Sequence, residues 1–244
     1  MVNIDAVYQK VLALANKEQR GYITPQEFNL FADQAQMEIF EQYFYDKNQF
    51  ARMPGNSYAY SDVVTNLEEK IAIFEKYSLA AGVSSSFGDI DMSTFTDLYR
   101  LGSVRVNYID EHGLVVAEQI QLNELNKYEK SLAKWSKKYP VYTRYNNNPQ
   151  TFGRIKIYPY PDENTDQVKI SYTRTPLKPV WGYLIVNDKP LYNADYSVNF
   201  ELHASEQSEL IYRILALVGI TIQKPELTQI AAGLESAKVQ QEKQ

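Results

Sequence analysis

Apolar residues recur every three or four positions near both ends of the chain and every second position in its middle. Ile4, Val7, Val11 and Leu14 predict a short amphipathic helix over 3–16. Thr24-Pro25-Gln26-Glu27 predicts a helix start, with Thr24 as N-cap, Pro25 at the first helical position and Glu27 closing a capping box. Phe28, Phe31, Ala35, Ile39 and Tyr43 then line one face of a helix to about Asp46, and Val64, Leu67, Ile71 and Phe74 predict a third helix from Ser61 to Tyr77. Strands are expected over 98–109 and 114–117, with Glu111-His112-Gly113 turning between them. A helix over 123–136 carries Leu125, Tyr128, Leu132 and Trp135 on one stripe, and extended chain follows at 141–145, 180–186 and 197–202. The central stretch, Ile155 to Pro176, reads as a half-buried hairpin. Ile155 and Ile157, then Val168, Ile170 and Tyr172, alternate with polar residues around an acidic turn.

Beyond these strands the pattern becomes helical again. Ser205 is placed to cap, Glu206 and Glu209 sit in a first turn, and Gly219 is expected to stop the helix. Pro225 starts a last helix in which Leu227, Ile230, Ala231 and Leu234 share one side before the polar end SAKVQQEKQ. The fold class expected is α+β: a helical bundle from the N- and C-terminal helices with an inserted antiparallel β module. The divisions expected are N-terminal helices 1–80, a Gly- and Ser-containing connector 81–93, a β module with one helix 94–203, and C-terminal helices 204–244 that pack with the first set.

Composition narrows the chemistry. The chain has 244 residues and no Cys, which excludes disulfides, thiolate metal sites and Cys nucleophiles. Neither a signal-peptide pattern at the N-terminus nor an apolar run long enough to span a membrane is seen. The net charge of −5 argues against wrapping nucleic acid over a large face, though not against enclosing DNA without gripping it. Twenty Tyr suit protein interfaces and strands equally.

No phosphate-cradling glycine loop and no G-x-S-x-G elbow is present. His112 and His203 are isolated, so neither metal nor cofactor is expected. Ser84, Ser85 and Ser86 fall in the connector. Asp162, Glu163 and Asp166 form the one acidic cluster, expected to be a solvated turn rather than a catalytic pair or a calcium site. Lys127, Lys130, Lys134 and Lys137, extended by Lys138, form the one basic row. They are either the solvated face of a helix or a face toward DNA or an acidic partner.

The order of motifs adds a resemblance. Asp97-Leu98-Tyr99-Arg100-Leu101, Ile155-Lys156-Ile157-Tyr158-Pro159, Ile170-Ser171-Tyr172-Thr173-Arg174-Thr175-Pro176 and Phe200-Glu201-Leu202 ahead of the Ser205 helix span about Thr94 to Ile222. In this order they resemble the head-to-tail adaptor, or neck-ring, proteins of tailed bacteriophages. The tail-tubular adaptors of short-tailed phages and the ring proteins of crAss-like phages are the nearest types. Where that family often has Pro before the Asp-Leu-Tyr-Arg strand, this chain has Phe95-Thr96, and its N-terminal helices are longer.

The resemblance implies a non-enzymatic virion protein, made in the host bacterial cytoplasm, that forms a ring commonly of twelve copies. Such a ring sits beneath the portal protein, extends the DNA channel without binding DNA specifically, docks the next tail or ring protein and meets no membrane. Interface candidates are then Tyr158, Tyr160, Tyr172 and Arg174 for lateral contacts, and Leu227, Ile230 and Leu234 for a C-terminal arm. The rival functions are a tail-associated glycan hydrolase and a tail assembly factor absent from the particle.

Overall fold

Helix formation at the N-terminus follows local chemistry closely. In this computed structural model, which describes residues 1–15, 23–51, 58–79, 83–84, 88–109, 113–132, 134–146, 153–162, 166–221 and 225–242, α1 (Ile4–Ala15) buries Ile4, Val7, Tyr8, Val11 and Ala15, while Leu14 stays exposed. α2 (Pro25–Ala51) opens on the expected capping box. The Thr24 amide donates to Glu27 Oε2 at 3.0 Å, and the Glu27 amide donates to Thr24 Oγ1 at 3.3 Å. The bonds donated to that carboxylate by the Thr24 amide above all, and by the Thr24 hydroxyl at 2.8 Å, hold Glu27 below its ordinary value.

α3 (Tyr58–Ala72) ends five residues before the expected Tyr77, because the next residues leave the helix to pair as β1 (Glu75–Leu79). The chain divides into two compact units, 1–73 with 176–244 and 74–175. The boundaries expected within 81–93 and near 203 thus fall at 73/74 and 175/176. The α+β class and the insertion of a β module between N- and C-terminal helices stand.

The inserted unit is an eight-stranded sheet. Its strands are β1, β2 (Val83–Ser84), β3 (Asp89–Asp91), β4 (Leu98–Tyr108), β5 (Gly113–Gln119), β6 (Val141–Tyr145), β7 (Arg154–Tyr158) and β8 (Gln167–Arg174), in the order β1-β8-β4-β5-β6-β7-β3-β2. Neighbours run antiparallel except β5 and β6, which meet in parallel through Glu118↔Val141 and Gln119↔Tyr142, so the module is mixed rather than purely antiparallel. The supposed connector contributes β2 and β3, and β3 pairs with β7. Ser84 lies in β2; Ser85 and Ser86 are outside the described residues.

The two strands expected as a hairpin exist, but they are not neighbours. β7 lies between β6 and β3, and β8 between β1 and β4. Alternation sets which face a strand buries, not which strand lies beside it. β4 offers β8 a long partner that sets Val104 against Ile170 and Val106 against Val168, all in the core with Ile90, Ile155, Ile157 and Tyr108. Register shifts between Leu101 and Val104 where Gly102 passes Ser171 so closely that a Cβ would lie 2.9 Å from the Ser171 carbonyl oxygen.

The helix expected over 123–136 shrinks to a 3-10 turn (Leu122–Glu124) and α4 (Leu125–Glu129), followed by turns. Leu125, Tyr128 and Trp135 pack on the small cluster of Ile120, Val141 and Tyr158, which sustains one helical turn.

In the other unit the chain returning from β8 is fastened to α1 and α2. Gln36, fully buried, donates to the Leu177 carbonyl at 2.8 Å and accepts from the Glu201 amide at 3.1 Å. Glu201 in turn accepts from the Leu177 amide at 2.8 Å. Trp181 donates through Nε1 to Asp5 (3.0 Å) and through its amide to Asn29 (2.7 Å). The expected strand at 197–202 is reduced to single bridges, Val198 to Val180 and Phe200 to Val2. β9 (Tyr183–Val186) and β10 (Lys189–Tyr192) form a separate two-stranded hairpin.

His203, not Ser205, supplies the N-cap: its Nδ1 accepts from the Ser205 amide at 3.3 Å ahead of the turn 204–206. α5 (Gln207–Thr221) buries Leu210, Ile211, Ile214, Leu215 and Val218 as expected, but runs through Gly219 to Thr221. α6 (Pro225–Glu242) packs on α5.

Candidate functional site

The interface candidates of the sheet separate into core and surface. Tyr172 is buried, edge-on to Phe95, and donates to Asp97 Oδ1 at 3.1 Å. Burial, with that carboxylate beside it, pushes its hydroxyl up. Tyr158 is buried between Trp135 (5.0 Å) and Tyr160 (5.4 Å). Neither presents a free face, which corrects their reading as lateral contacts: the alternation that marked them is the alternation that buries them. Arg174 is half-buried with its guanidinium 5.7 Å from the Phe74 ring centre. Tyr160 is half-exposed, with the Lys156 ammonium 5.3 Å from its ring centre.

The lysine row is not a helix face, because α4 ends before Lys130. Lys127, Lys130 and Lys134 are exposed, whereas Lys137 is half-buried over the Tyr108 ring at 6.0 Å. Leu132, expected on the apolar stripe, has its whole side chain in solvent (109% of the reference area). Of the acidic cluster, Glu163 lies outside the described residues, as does His112. Asp166 uses both carboxylate oxygens on backbone amides, Ile109 at 3.1 Å and Asp162 at 2.8 Å, and so ties the loop after β7 to the end of β4. Among the described residues no three His, Asp or Glu side chains gather as metal ligands, and no helix is long and apolar enough to cross a membrane.

The helical unit holds a buried ionic network that joins α3, α5 and α6. Glu206 (1% exposed) pairs with Lys70 at 2.6 Å and with Lys238 at 3.8 Å. Arg213 pairs with Glu209 at 2.7 Å and Glu235 at 3.1 Å, and also donates to Gln42. Burial alone would raise Glu206, but the Lys70 ammonium hydrogen-bonded to it, with Lys238, holds its carboxyl below the ordinary value. Burial pushes Glu209 up despite the Arg213 guanidinium, with the Glu206 charge adding to the rise.

α6 therefore turns Ala231, Glu235 and Lys238 inward and leaves Ile230 (63% exposed) and Leu234 (46%) on the surface. The side chain of Leu227 lies outside the described residues.

Two surfaces have no counterpart in the sequence reading. One is the β9–β10 hairpin. Leu184, Ile185 (71% exposed), Val186 and Leu191 stand in solvent, above a base where Tyr183 and Tyr192 pack on Trp181 at 5.8 and 5.7 Å. Its two-residue turn, Asn187 and Asp188, has positive φ at both positions (50° and 59°), the geometry that twisted hairpins favour. An Asn-Asp pair between Tyr-Leu-Ile-Val and Lys-Pro-Leu-Tyr was the readable signal. The base is also held by Gly182, where a Cβ would fall 2.6 Å from the Tyr196 carbonyl carbon. The other surface is a groove of about 390 Å³ between α2 and α3, with Phe50, Val63 and Leu67 on its walls and Asp46, Glu69 and Lys70 around them.

Comparison of the chain with protein-family models and with curated proteins finds no match in either.

Proposed function

We propose that this chain is a structural subunit of a ring in the neck of a tailed bacteriophage, joining the portal protein to the tail and extending the DNA channel. The observation that carries this reading is the β9–β10 hairpin: a rigid aromatic base presenting Leu184, Ile185, Val186 and Leu191 to solvent. Exposed apolar clusters of this kind mark protein interfaces, and the outward Ile230 and Leu234 of α6 add a second. The order of motifs from Asp97 to Leu202 supports the neck as the setting, and the acidic balance suits a channel through which DNA slides without being gripped. Its partners are further copies of itself, the portal protein and the next tail or ring protein, and its location is the virion.

The test is quantitative mass spectrometry of purified particles of the phage that encodes the chain. As many copies as portal supports the neck ring. Complete absence from the particle overturns it in favour of an assembly factor.

A further inference from the structure

Charge is sharply segregated along this chain. Residues 125–161 hold eight Lys or Arg and one acid, Glu129, although acids outnumber bases over the whole sequence. α2 and α3 show the reverse, with eight Asp or Glu against Lys47 and Lys70. The basic segment also has a shape. Beyond α4 the chain makes a turn that carries Leu132 fully into solvent between exposed Lys130 and Lys134. The turn is backed by Trp135 on Tyr158, so it is presented from a packed base. The acidic helices in turn carry a groove with apolar walls.

We propose that the α2–α3 groove of one copy receives the Leu132 turn of a second copy. Leu132 seats against Phe50, Val63 and Leu67, with Lys130 and Lys134 set against Glu69, which lines the groove, and the exposed Asp62, which precedes Val63 in α3. A phosphate backbone would accept the lysines but has no apolar seat for a fully exposed leucine; the groove supplies both. Opposite potentials steer such a contact and fix its register. Because it joins unlike surfaces, it is heterologous and passes from copy to copy, the arrangement from which rings close. This inference rests on the reading of the chain as a ring subunit and names the contact that builds the ring.

The absence of Cys makes the contact directly testable. Leu132→Cys and Val63→Cys variants, mixed under mild oxidation, are expected to yield a disulfide-linked dimer that neither forms alone. In sedimentation velocity, a Lys130→Glu/Lys134→Glu variant and an Asp62→Lys/Glu69→Lys variant should each lose self-association at least tenfold, and mixing the two should restore it. All four residues are exposed, and unchanged circular dichroism melts establish that the variants fold. Oligomers that persist through both reversals place the contact elsewhere and overturn this inference, leaving the ring standing. A wild-type chain that stays monomeric at high concentration, alone and with portal protein, overturns the ring itself. If Lys130→Glu/Lys134→Glu instead abolishes duplex DNA binding and leaves self-association intact, the basic turn is a DNA contact and the inference falls.

Discussion

Replacing Arg213 by Met tests whether the buried ionic network holds the helical unit together. Arg213 is 9% exposed and lies 2.7 Å from Glu209 and 3.1 Å from Glu235, with Glu38 further out at 3.7 Å. Met keeps the apolar stem but leaves Glu209, itself nearly buried, without its guanidinium. Removing one partner of a buried pair costs about 3–5 kcal/mol. Lys238 remains 3.7 Å from Glu209, so the expected loss sits near the lower end, about 3 kcal/mol at neutral pH.

The loss also has a pH signature. The folded protein already raises the Glu209 carboxyl through burial, and without Arg213 it rises further. A raised carboxyl holds its proton in the folded state after the unfolded chain has released it, so its contribution to stability falls as pH climbs from the unfolded value through the folded one. The penalty of Arg213→Met should therefore shrink between neutral and mildly acidic pH, as the orphaned carboxyl takes up its proton. Urea unfolding of wild type and variant at both pH values measures it. A Glu209→Gln/Arg213→Met double variant should regain part of the loss, with a coupling of about 0.5–3 kcal/mol. A loss under about 1 kcal/mol, or one equal at both pH values, would refute the argument, since either would mean that the network is solvated.

Gln36→Leu leaves the part-buried Leu177 carbonyl and the buried Glu201 amide without this partner and should cost about 1–3 kcal/mol, read as a lowered urea midpoint. Thr24→Ala removes the α2 cap for about 1 kcal/mol. Glu27 is held low, so its share of stability is present above its unfolded value and lost as pH falls through its folded value; the gap between variant and wild type should narrow in acid urea titrations. Ile185→Asp alters an exposed hairpin residue and should leave stability within about 0.5 kcal/mol, while incorporation into assembled particles, counted by mass spectrometry, drops; normal incorporation would remove the hairpin from the interface. Trp181→Ala, by contrast, opens the base of that hairpin and should destabilise by about 3–5 kcal/mol, measured by the same urea melts.

How far the sequence could be read depended on whether the signal was local. The Thr24–Glu27 box and the inward faces of α1, α2 and α5 involve residues within one or two helical turns, and apart from the exposed Leu14 they came out where the spacing placed them. β7 and β8 were readable as strands because alternation is local, yet their separation by three other strands was not, because the choice of neighbour is made by β4 and β6 from outside the stretch. The end of α3 was missed for the same reason: Glu75–Leu79 pairs with β8 nearly a hundred residues away. Glu209 and Arg213 show their pairing at i,i+4, but Lys70, Glu235 and Lys238 enter the network from other helices. The lysine row was misplaced because a heptad-like spacing was extended through a segment with too little buried surface to sustain it.

The docking of α6 shows why an apolar stripe alone did not reveal which way the helix faces. The stripe through Ile230 and Leu234 competes with Glu235 and Lys238 for the inward side. Burying two aliphatic side chains is worth about 1.5–3 kcal/mol each. Against that, α5 and the turn that leads into it present Glu209 and Glu206, both nearly inaccessible to water, and a buried carboxylate without a cation costs several kcal/mol apiece. Covering α5 with the aliphatic edge would remove Lys238 from both carboxylates and Glu235 from Arg213, so the ionic edge wins and the aliphatic edge is left outside. An exposed Ile230 and Leu234 is thus a consequence of satisfying the charges of α5, and it leaves on the surface an apolar pair whose burial is available to assembly. An α6 whose inward charges were neutralised, as in Glu206→Gln/Glu209→Gln/Lys238→Met, removes the reason for that orientation. Hydrogen exchange and cysteine accessibility at position 234 should then report the helix rolling its aliphatic edge inward; continued exposure of that position would show that the orientation is set by something other than the ionic network.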